Sequence, residues 1–233
     1  MKLGFVSAIL DGWTFEEMID TASEMGFSCV EVACWPQGKA ERRYAGVSHI
    51  DTDNLSDEKA AYILNYCKAR KVEISSLAYY PNTLDGNPEK RASVVAHLKN
   101  VIRASHKLGV NMVTTFIGRD QTKSVEQNLE LVKEVWPPII ALAEELGVKI
   151  AIENCPMIFS RDEWPGGNNL ASTPAIWDEI FRRIDSDFLG LNYDPSHCVI
   201  LDMDYIRPLY TYADKIFHVH LKDTHIFRDR LDR

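Results

Sequence analysis

The segment of residues 216–223, Ile-Phe-His-Val-His-Leu-Lys-Asp, has the apolar character of a buried strand but carries three polar side chains at alternate positions: His218, His220 and Lys222. Alternate side chains of a strand lie on one face, so the two imidazoles and the ammonium are expected to point the same way. Such a face is costly inside an apolar core unless it meets a metal ion, a counter-charge or water. This segment is therefore the first candidate for chemistry.

Two earlier apolar segments end on carboxylates that could meet this face. Residues 149–155 read as a strand that ends at Glu153, and residues 189–197 read as a strand that ends at Asp194, with His197 three positions later. Glutamate, aspartate and histidine delivered from three strand ends form a typical donor set for a divalent metal ion. The sequence therefore predicts a metal site where these segments converge.

The elements between these segments alternate regularly between strand and helix patterns, with roughly 30–40 residues in each unit. Seven such units without a dinucleotide-binding glycine fingerprint favour a (β/α)8 TIM barrel over a doubly wound sheet. The carboxylates and histidines would lie at the C-terminal ends of the strands, where barrel enzymes carry their active sites. Thr14 with Glu17 predicts a capping box, and Pro137 with Pro138 predicts a kink in a long helix or a break into two helices. His97 and His106 are expected to face solvent from a helix.

The pattern accounts for seven strands, whereas a closed barrel has eight. Either the sheet is an open, incomplete barrel or the chain is a truncated product. We expect the second, a single domain over residues 1–233 truncated after strand seven, because a barrel without its last strand would expose two strand edges and part of its core, which promotes aggregation.

Composition limits the classes of partner. The 233 residues carry a formal net charge of −8 and no extended basic cluster, which argues against nucleic acid and membrane surfaces. The five cysteines lack paired spacing, as in a reduced cytoplasmic protein, and no apolar run approaches the ~18 residues of a membrane span. A cytoplasmic location is therefore expected.

Three motifs resemble the xylose-isomerase-like barrel superfamily, which includes sugar isomerases, ketose 3-epimerases, inosose dehydratases and the zinc endonuclease of abasic-site repair. They are Ile-Glu-Asn at 152–154, Asp-Pro-Ser-His at 194–197 and His-Val-His-Leu-Lys-Asp at 218–223, and the sugar phosphate isomerase/epimerase branch is the most similar. The endonuclease branch takes extra histidines from strands three and four, where this chain has none.

The resemblance implies that Glu153, Asp194 and His220 bind one divalent ion and that Glu153 is also the catalytic base. It further implies a fourth ligand, a glutamate on strand eight, which this sequence does not contain, so the activity of this chain is open. Manganese is favoured, with magnesium, cobalt or zinc as alternatives. The family also implies a homo-oligomer, a dimer or a tetramer.

The expected chemistry is removal of a proton from a carbon next to a carbonyl, with a metal-stabilised enediolate. His197 is a substrate hydrogen-bond donor or an outer ligand, and Lys222 would neutralise an oxyanion or a phosphate. Glu31 either faces the substrate or pairs with a lysine or an arginine, and His218 is expected to be a hydrogen-bonded core residue. Four further side chains are expected to line the sugar pocket: Trp13, Tyr79, Arg161 and Trp164.

Three functions remain open from the sequence. The first is a metal-dependent epimerase or isomerase of a sugar, keto-sugar or sugar phosphate. The second is an inosose-type dehydratase, a lyase that uses the same enolate but expels a hydroxyl group. The third is a non-catalytic sugar-binding barrel or an inactive fragment, suggested by the missing strand eight.

Overall fold

The computed structural model describes residues 1–38, 45–163 and 166–230. In these ranges seven strands pair in parallel, and their order in the sheet is their order in the chain. The strands are β1 (Gly4–Val6), β2 (Cys29–Ala33), β3 (Glu73–Ala78), β4 (Met112–Thr115), β5 (Lys149–Glu153), β6 (Leu189–Tyr193) and β7 (Ile216–Val219). Parallel neighbours in chain order require a crossover of the same hand after every strand, which curls the sheet.

The two ends of this curled sheet are β1 and β7, and no pairing joins them within the described ranges. The arrangement is that of a TIM barrel without its eighth unit, so the predicted architecture is confirmed. All seven strands run the same way, so their C-terminal ends lie at one mouth of the half-barrel.

Eight helices are found in the described parts of the chain. They are α1 (Phe15–Glu24), α2 (Asp57–Arg70), α3 (Pro88–Lys107), α4 (Val125–Val135), α5 (Pro137–Leu146), α6 (Pro174–Arg183), α7 (Pro195–Ile200) and α8 (Arg207–Thr211). The predicted capping box is present, since the Thr14 hydroxyl accepts from the Glu17 amide at 3.1 Å and the Glu17 carboxylate accepts from the Thr14 amide at 2.8 Å. None of the helices described here has the length and hydrophobicity to cross a bilayer.

The predicted break at Pro137 is also confirmed. α4 ends at Val135 and α5 begins at Pro137, because proline has no amide hydrogen to continue the helical bonding and is tolerated in the first turn. Trp136 occupies the joint, fully buried, and its indole N–H donates to Thr83 Oγ1 at 3.0 Å.

The expectation that both helical histidines face solvent holds for His106 but is wrong for His97. His97 is buried on the inner face of α3, where Nε2 lies 2.9 Å from the Cys34 carbonyl oxygen and Nδ1 lies 3.3 Å from Asp53 Oδ1. A polar side chain on an amphipathic helix can satisfy its hydrogen bonds inside the protein, and the sequence alone does not show where those partners are.

β6 lies unusually close to the segment that enters β7. A Cβ added at Gly190 would lie 2.3 Å from the Lys215 carbonyl oxygen, so only glycine permits this approach. The close packing brings the end of β6 next to the end of β7, where the candidate site is found.

Candidate active site

The polar residues singled out from the sequence converge at the C-terminal mouth of the half-barrel. Glu153 is the last residue of β5 and pairs in register with Asn192 of β6, which in turn pairs with His218 of β7. Asp194 lies directly after β6, and His220 lies directly after β7. Neighbouring parallel strands therefore deliver these side chains to one level of the barrel.

His220 is held between two buried carboxylates. Its Nε2 lies 3.0 Å from Glu31 Oε2, on β2, and its Nδ1 lies 3.3 Å from Glu153 Oε1. The side chain of Asn192 packs against the same ring, with Nδ2 3.2 Å from Nε2. The His220 ring thus connects the β2 side of the barrel to the β5 side.

A second group lies around Glu153 and Asp194. His197 Nε2 lies 3.4 Å from both Glu153 Oε1 and Asp194 Oδ2. The Lys222 ammonium lies 2.5 Å from Asp194 Oδ2, 3.6 Å from Glu153 Oε1 and 3.3 Å from His197 Nε2. A cationic group therefore already lies against the two carboxylates.

Local structure fixes the orientation of Asp194. It is the N-cap of α7, and its Oδ1 accepts hydrogen bonds from the Ser196 amide at 2.9 Å and the Ser196 hydroxyl at 2.5 Å. Asn154 holds the Asp194 backbone through its side-chain amide, at 2.7 and 2.9 Å. Asp194 Oδ2 is buried and accepts a charge-assisted hydrogen bond from the Lys222 ammonium at 2.5 Å.

The charges of the cluster compensate one another. Burial acts to raise the pKa of Glu153, but hydrogen bonds from His197 and His220 and the charges of His220 and Lys222 together hold it well below its usual range. Burial likewise opposes ionisation of Glu31, yet the nearby histidines lower its pKa. Both carboxylates are therefore ionised at neutral pH.

The histidines show the reverse effect. Burial acts to lower the pKa of His220, but Glu31 and Glu153 raise it to about 10. Burial acts in the same way on His197, and contacts with Cys155 and Glu153 raise its pKa to about 9. Burial lowers the pKa of His218, so the two histidines of the β7 segment differ in charge. The protons on His197 and His220 thus offset the charge of the buried carboxylates, and a metal cation bound at the same place could do so instead.

Two sets of side chains could hold a metal ion. Glu153, Asp194 and His197 form the first, and Glu31, His218 and His220 form the second; in each, the donor atoms lie within 4.8 Å of one another. Donors about 2.1 Å from a shared ion lie roughly 3.0–3.4 Å apart, which is the range of the His197 distances above. Two carboxylate oxygens with one imidazole suit a hard or borderline divalent ion.

Hydrogen bonding distinguishes the two sets. In the second set, His218 Nδ1 lies 3.0 Å from Asn192 Oδ1 and His218 Nε2 lies 3.3 Å from Ser75 Oγ, so its polar atoms are already partnered. In the first set, Asp194 Oδ2 instead faces two cationic groups, the Lys222 ammonium at 2.5 Å and His197 Nε2 at 3.4 Å. A bound cation can take the place of such positive groups, so the first set fits a divalent ion better. His220 lies next to the first set, with Nδ1 3.3 Å from Glu153 Oε1.

The remaining predicted pocket residues are not all at the cluster. Trp13 is 42% exposed in the turn before α1, and the structure does not bring it to these carboxylates. Tyr79 is buried between Trp35 and His97, with ring centroids 4.9 and 4.7 Å away, and it lines the cavity described below. Arg161 lies in a short 3-10 helix, but its side chain, like all of Trp164, lies outside the described residues.

Sequence reasoning missed Tyr80 and Asn192. The Tyr80 hydroxyl donates to Glu31 Oε1 at 2.7 Å and accepts from Asn192 Nδ2 at 3.0 Å. Asn192 is fully buried within the otherwise apolar β6. A single amide in such a strand was a usable signal, because it must find partners inside the barrel.

A cavity of about 470 Å³ opens beside Tyr80. Its lining includes Trp35, Tyr80, Asp85, Lys90, Phe159 and Asn168. The two charged groups among the described lining residues, Lys90 and Asp85, lie 3.1 Å apart, so their charges offset each other. The cavity thus combines aromatic faces with neutral polar groups and a balanced charge pair.

Comparisons with known proteins agree with this architecture. A family model described as a xylose isomerase-like TIM barrel matches residues 19–233. The inosose dehydratase of Geobacillus thermodenitrificans is 23% identical over 231 residues, which cover 97% of this chain and 72% of that protein.

Two solved structures share the fold. The structure of the IolI protein with a bound zinc atom aligns with a TM-score of 0.72 and 20% identity, over 97% of this chain and 74% of that one. A D-tagatose 3-epimerase-like protein aligns with a TM-score of 0.72 and 22% identity, over 97% of this chain and 77% of that one.

Proposed function

We propose, from the premise that this chain belongs to the xylose isomerase-like TIM barrel family, that it is a divalent-metal-dependent epimerase or isomerase of a sugar or keto-sugar. The observation that carries the proposal is the convergence of the buried Glu153, Asp194 and His197 side chains, whose donor atoms lie within 4.8 Å of one another and face the half-exposed Lys222 ammonium. The names of the relatives support the substrate class, since they include a dehydratase of an inosose and a protein like a tagatose epimerase.

Glu153 and Asp194 would hold the ion, with His220 as the third ligand proposed from the resemblance and His197 as the imidazole that the geometry offers. Manganese is our first choice, and zinc is the alternative suggested by the zinc atom bound to the IolI protein. When bound, such an ion supplies Lewis-acid polarisation of a substrate carbonyl and an adjacent hydroxyl.

Glu153 is the proposed proton acceptor. It is buried, ionised and positioned at the barrel mouth by β5. A carboxylate held so firmly ionised is a weak base, so proton removal by Glu153 depends on a substrate C–H that lies next to a carbonyl. Lys222, together with His197 where His220 is the third ligand of the ion, is the nearby cationic donor, and we assign to it the hydrogen bonding of the oxygen that gains charge.

The cavity beside Tyr80 is the proposed place for the rest of the substrate. Its aromatic faces suit the C–H face of a carbohydrate, and its lysine is paired with Asp85. We therefore take an unphosphorylated sugar as the first substrate to test, with a sugar phosphate as the alternative.

A dehydratase is the second candidate, favoured by the inosose dehydratase similarity. It would use Glu153 for the same proton removal and then expel the hydroxyl on the neighbouring carbon. The two reactions differ in product mass, because an epimer has the mass of its substrate and a dehydration product has lost one water.

The test is incubation of the manganese-loaded protein with a panel of ketohexoses and inososes in D2O, followed by NMR and mass spectrometry. An epimerase introduces deuterium at the inverted carbon and yields an isomer, whereas a dehydratase yields a product lighter by one water. Glu153→Gln should abolish both signals, and Glu145→Gln, at an exposed position of α5, is the matched control. No exchange on any substrate would favour a non-catalytic protein.

A further inference from the structure

Glu31 is a buried carboxylate in the middle of β2, on the far side of the half-barrel from the carboxylates of β5 and β6. Its residue exposure is 2%, and a buried charge is costly unless it is paired and hydrogen-bonded. Oε1 accepts from the Tyr80 hydroxyl at 2.7 Å. Oε2 accepts from the Ser76 hydroxyl at 3.1 Å and from His220 Nε2 at 3.0 Å.

These contacts argue against a substrate-binding role for Glu31. Both oxygens already accept hydrogen bonds from the protein, and the side chain is almost inaccessible. They also argue against a second metal site with His218 and His220, because both nitrogens of His218 have partners in Asn192 and Ser75. The group around Glu31 is a complete hydrogen-bond network as it stands.

The contact with His220 has a direct consequence for the proposed metal site. A carboxylate on one ring nitrogen fixes the orientation of an imidazole and determines which nitrogen carries the proton. Glu31 takes the Nε2–H, so Nδ1 is the nitrogen directed at Glu153, 3.3 Å away. Tyr80 and Ser76 in turn hold the Glu31 carboxylate against rotation.

We propose that Glu31 is a positioning residue that orients His220 toward the ion held by Glu153 and Asp194. This inference rests on the proposed function. It corrects our expectation that Glu31 either faces the substrate or pairs with a lysine or arginine, since the cation it meets is a histidine on the opposite side of the barrel.

The test is titration of the metal-free protein with Mn²⁺ by calorimetry at one pH and ionic strength, for wild type, Glu31→Gln and Asp120→Asn. Asp120 is a buried carboxylate in the loop between β4 and α4 that belongs to a separate network, so it controls for loss of a buried charge. We expect one ion per chain in all three proteins. Partners of metal-bound histidines typically contribute 10–100-fold in affinity, so Kd should rise about 10–100-fold in Glu31→Gln and less than about threefold in Asp120→Asn.

A second readout separates positioning from general loss of structure. In protein saturated with the diamagnetic ion Zn²⁺, the ¹⁵N shifts of the His220 ring report which nitrogen carries the proton and which faces the ion, and we expect them to change in Glu31→Gln while those of His106 do not. If Glu31→Gln does not fold, Tyr80→Phe removes one donor to Glu31 and should weaken Mn²⁺ binding by a smaller factor, about two- to fivefold, with the His220 shifts moving in the same direction.

Three results would overturn the inference. Equal Mn²⁺ affinity of wild type and Glu31→Gln would show that Glu31 does not position a ligand, while the proposed function would survive. A second ion in wild type that is lost in Glu31→Gln would make Glu31 itself a ligand. Absence of Mn²⁺ binding to the wild type would refute both this inference and the proposed metal site.

Discussion

Replacement of Lys222 by methionine should tighten the binding of a divalent ion. In the structure the Lys222 ammonium lies 2.5 Å from Asp194 Oδ2 and 3.6 Å from Glu153 Oε1. It therefore neutralises the same carboxylates that we assign to the metal ion. The Lys222→Met side chain has a similar length and no charge, so it removes this competing cation with little change in volume.

The size of the effect follows from Coulomb's law. The Lys222 side chain is 51% exposed, so a water-like dielectric constant of about 80 is appropriate, and the ammonium can move to about 5 Å from the ion. A single and a double positive charge at that separation repel each other by about 1.7 kcal/mol. Since about 1.4 kcal/mol corresponds to a factor of ten, Kd for Mn²⁺ should fall roughly 15-fold in Lys222→Met.

The same change should have the opposite effect on the metal-free protein. Without the ammonium, the buried carboxylates of Asp194 and Glu153 lose a cationic partner, and the melting temperature of the metal-free form should fall. Calorimetry with Mn²⁺ and thermal unfolding with and without the ion measure the two effects. Lys133→Met, which removes an exposed lysine paired with Glu130 on α4, is the control for net charge.

The result that refutes this reasoning is a clear weakening of Mn²⁺ binding in Lys222→Met with Lys133→Met unchanged. Lys222 would then help to build the metal site instead of competing for it. If Mn²⁺ binds more tightly to Lys222→Met and to Lys133→Met by the same factor, the change in net charge alone explains the effect.

Three other predictions concern the same site and its surroundings. Saturation with Mn²⁺ at 100 times Kd should stabilise the fold by about 2.7 kcal/mol, which for this size raises the melting temperature by about 5–10 °C, and Asp194→Asn should remove most of that shift. Glu153→Gln should lower turnover of any substrate found by at least about 10²-fold, with steady-state kinetics as the assay; a smaller loss would exclude Glu153 as the base. Hydrogen bonds from Lys123 and Thr122 lower the pKa of the buried Asp120 to about 2, so its ionised form stabilises the fold above the unfolded pKa near 4. Urea unfolding should show Asp120→Asn less stable by about 2 kcal/mol at pH 7 and by about half of that at pH 3, whereas a pH-independent difference would contradict the assignment.

The strands, the helices and the chemistry of the strand ends could be predicted from the sequence because they depend on local patterns. Alternation and capping depend on residues a few positions apart, as at Thr14 and Glu17, and the break at Pro137 follows from one missing amide hydrogen. The positions of Glu153 and Asp194 at strand ends needed only the apolar runs before them. Parallel strands in chain order then require these side chains to share one mouth of the barrel.

The contacts that decide what each side chain does could not be predicted in this way. Glu31 meets His220 across the curled sheet, 189 positions along the chain, and that meeting depends on strand register and on the curvature of the whole half-barrel. His97 is buried against a carbonyl oxygen from β2's end, although its helix position suggested exposure. The sequence pattern determined which residues reach the barrel mouth. Only the tertiary structure decided which nitrogen, oxygen or ammonium faces which partner. Hydrogen bonds of this kind act over about 3 Å, so a small change of strand register would replace every one of these contacts.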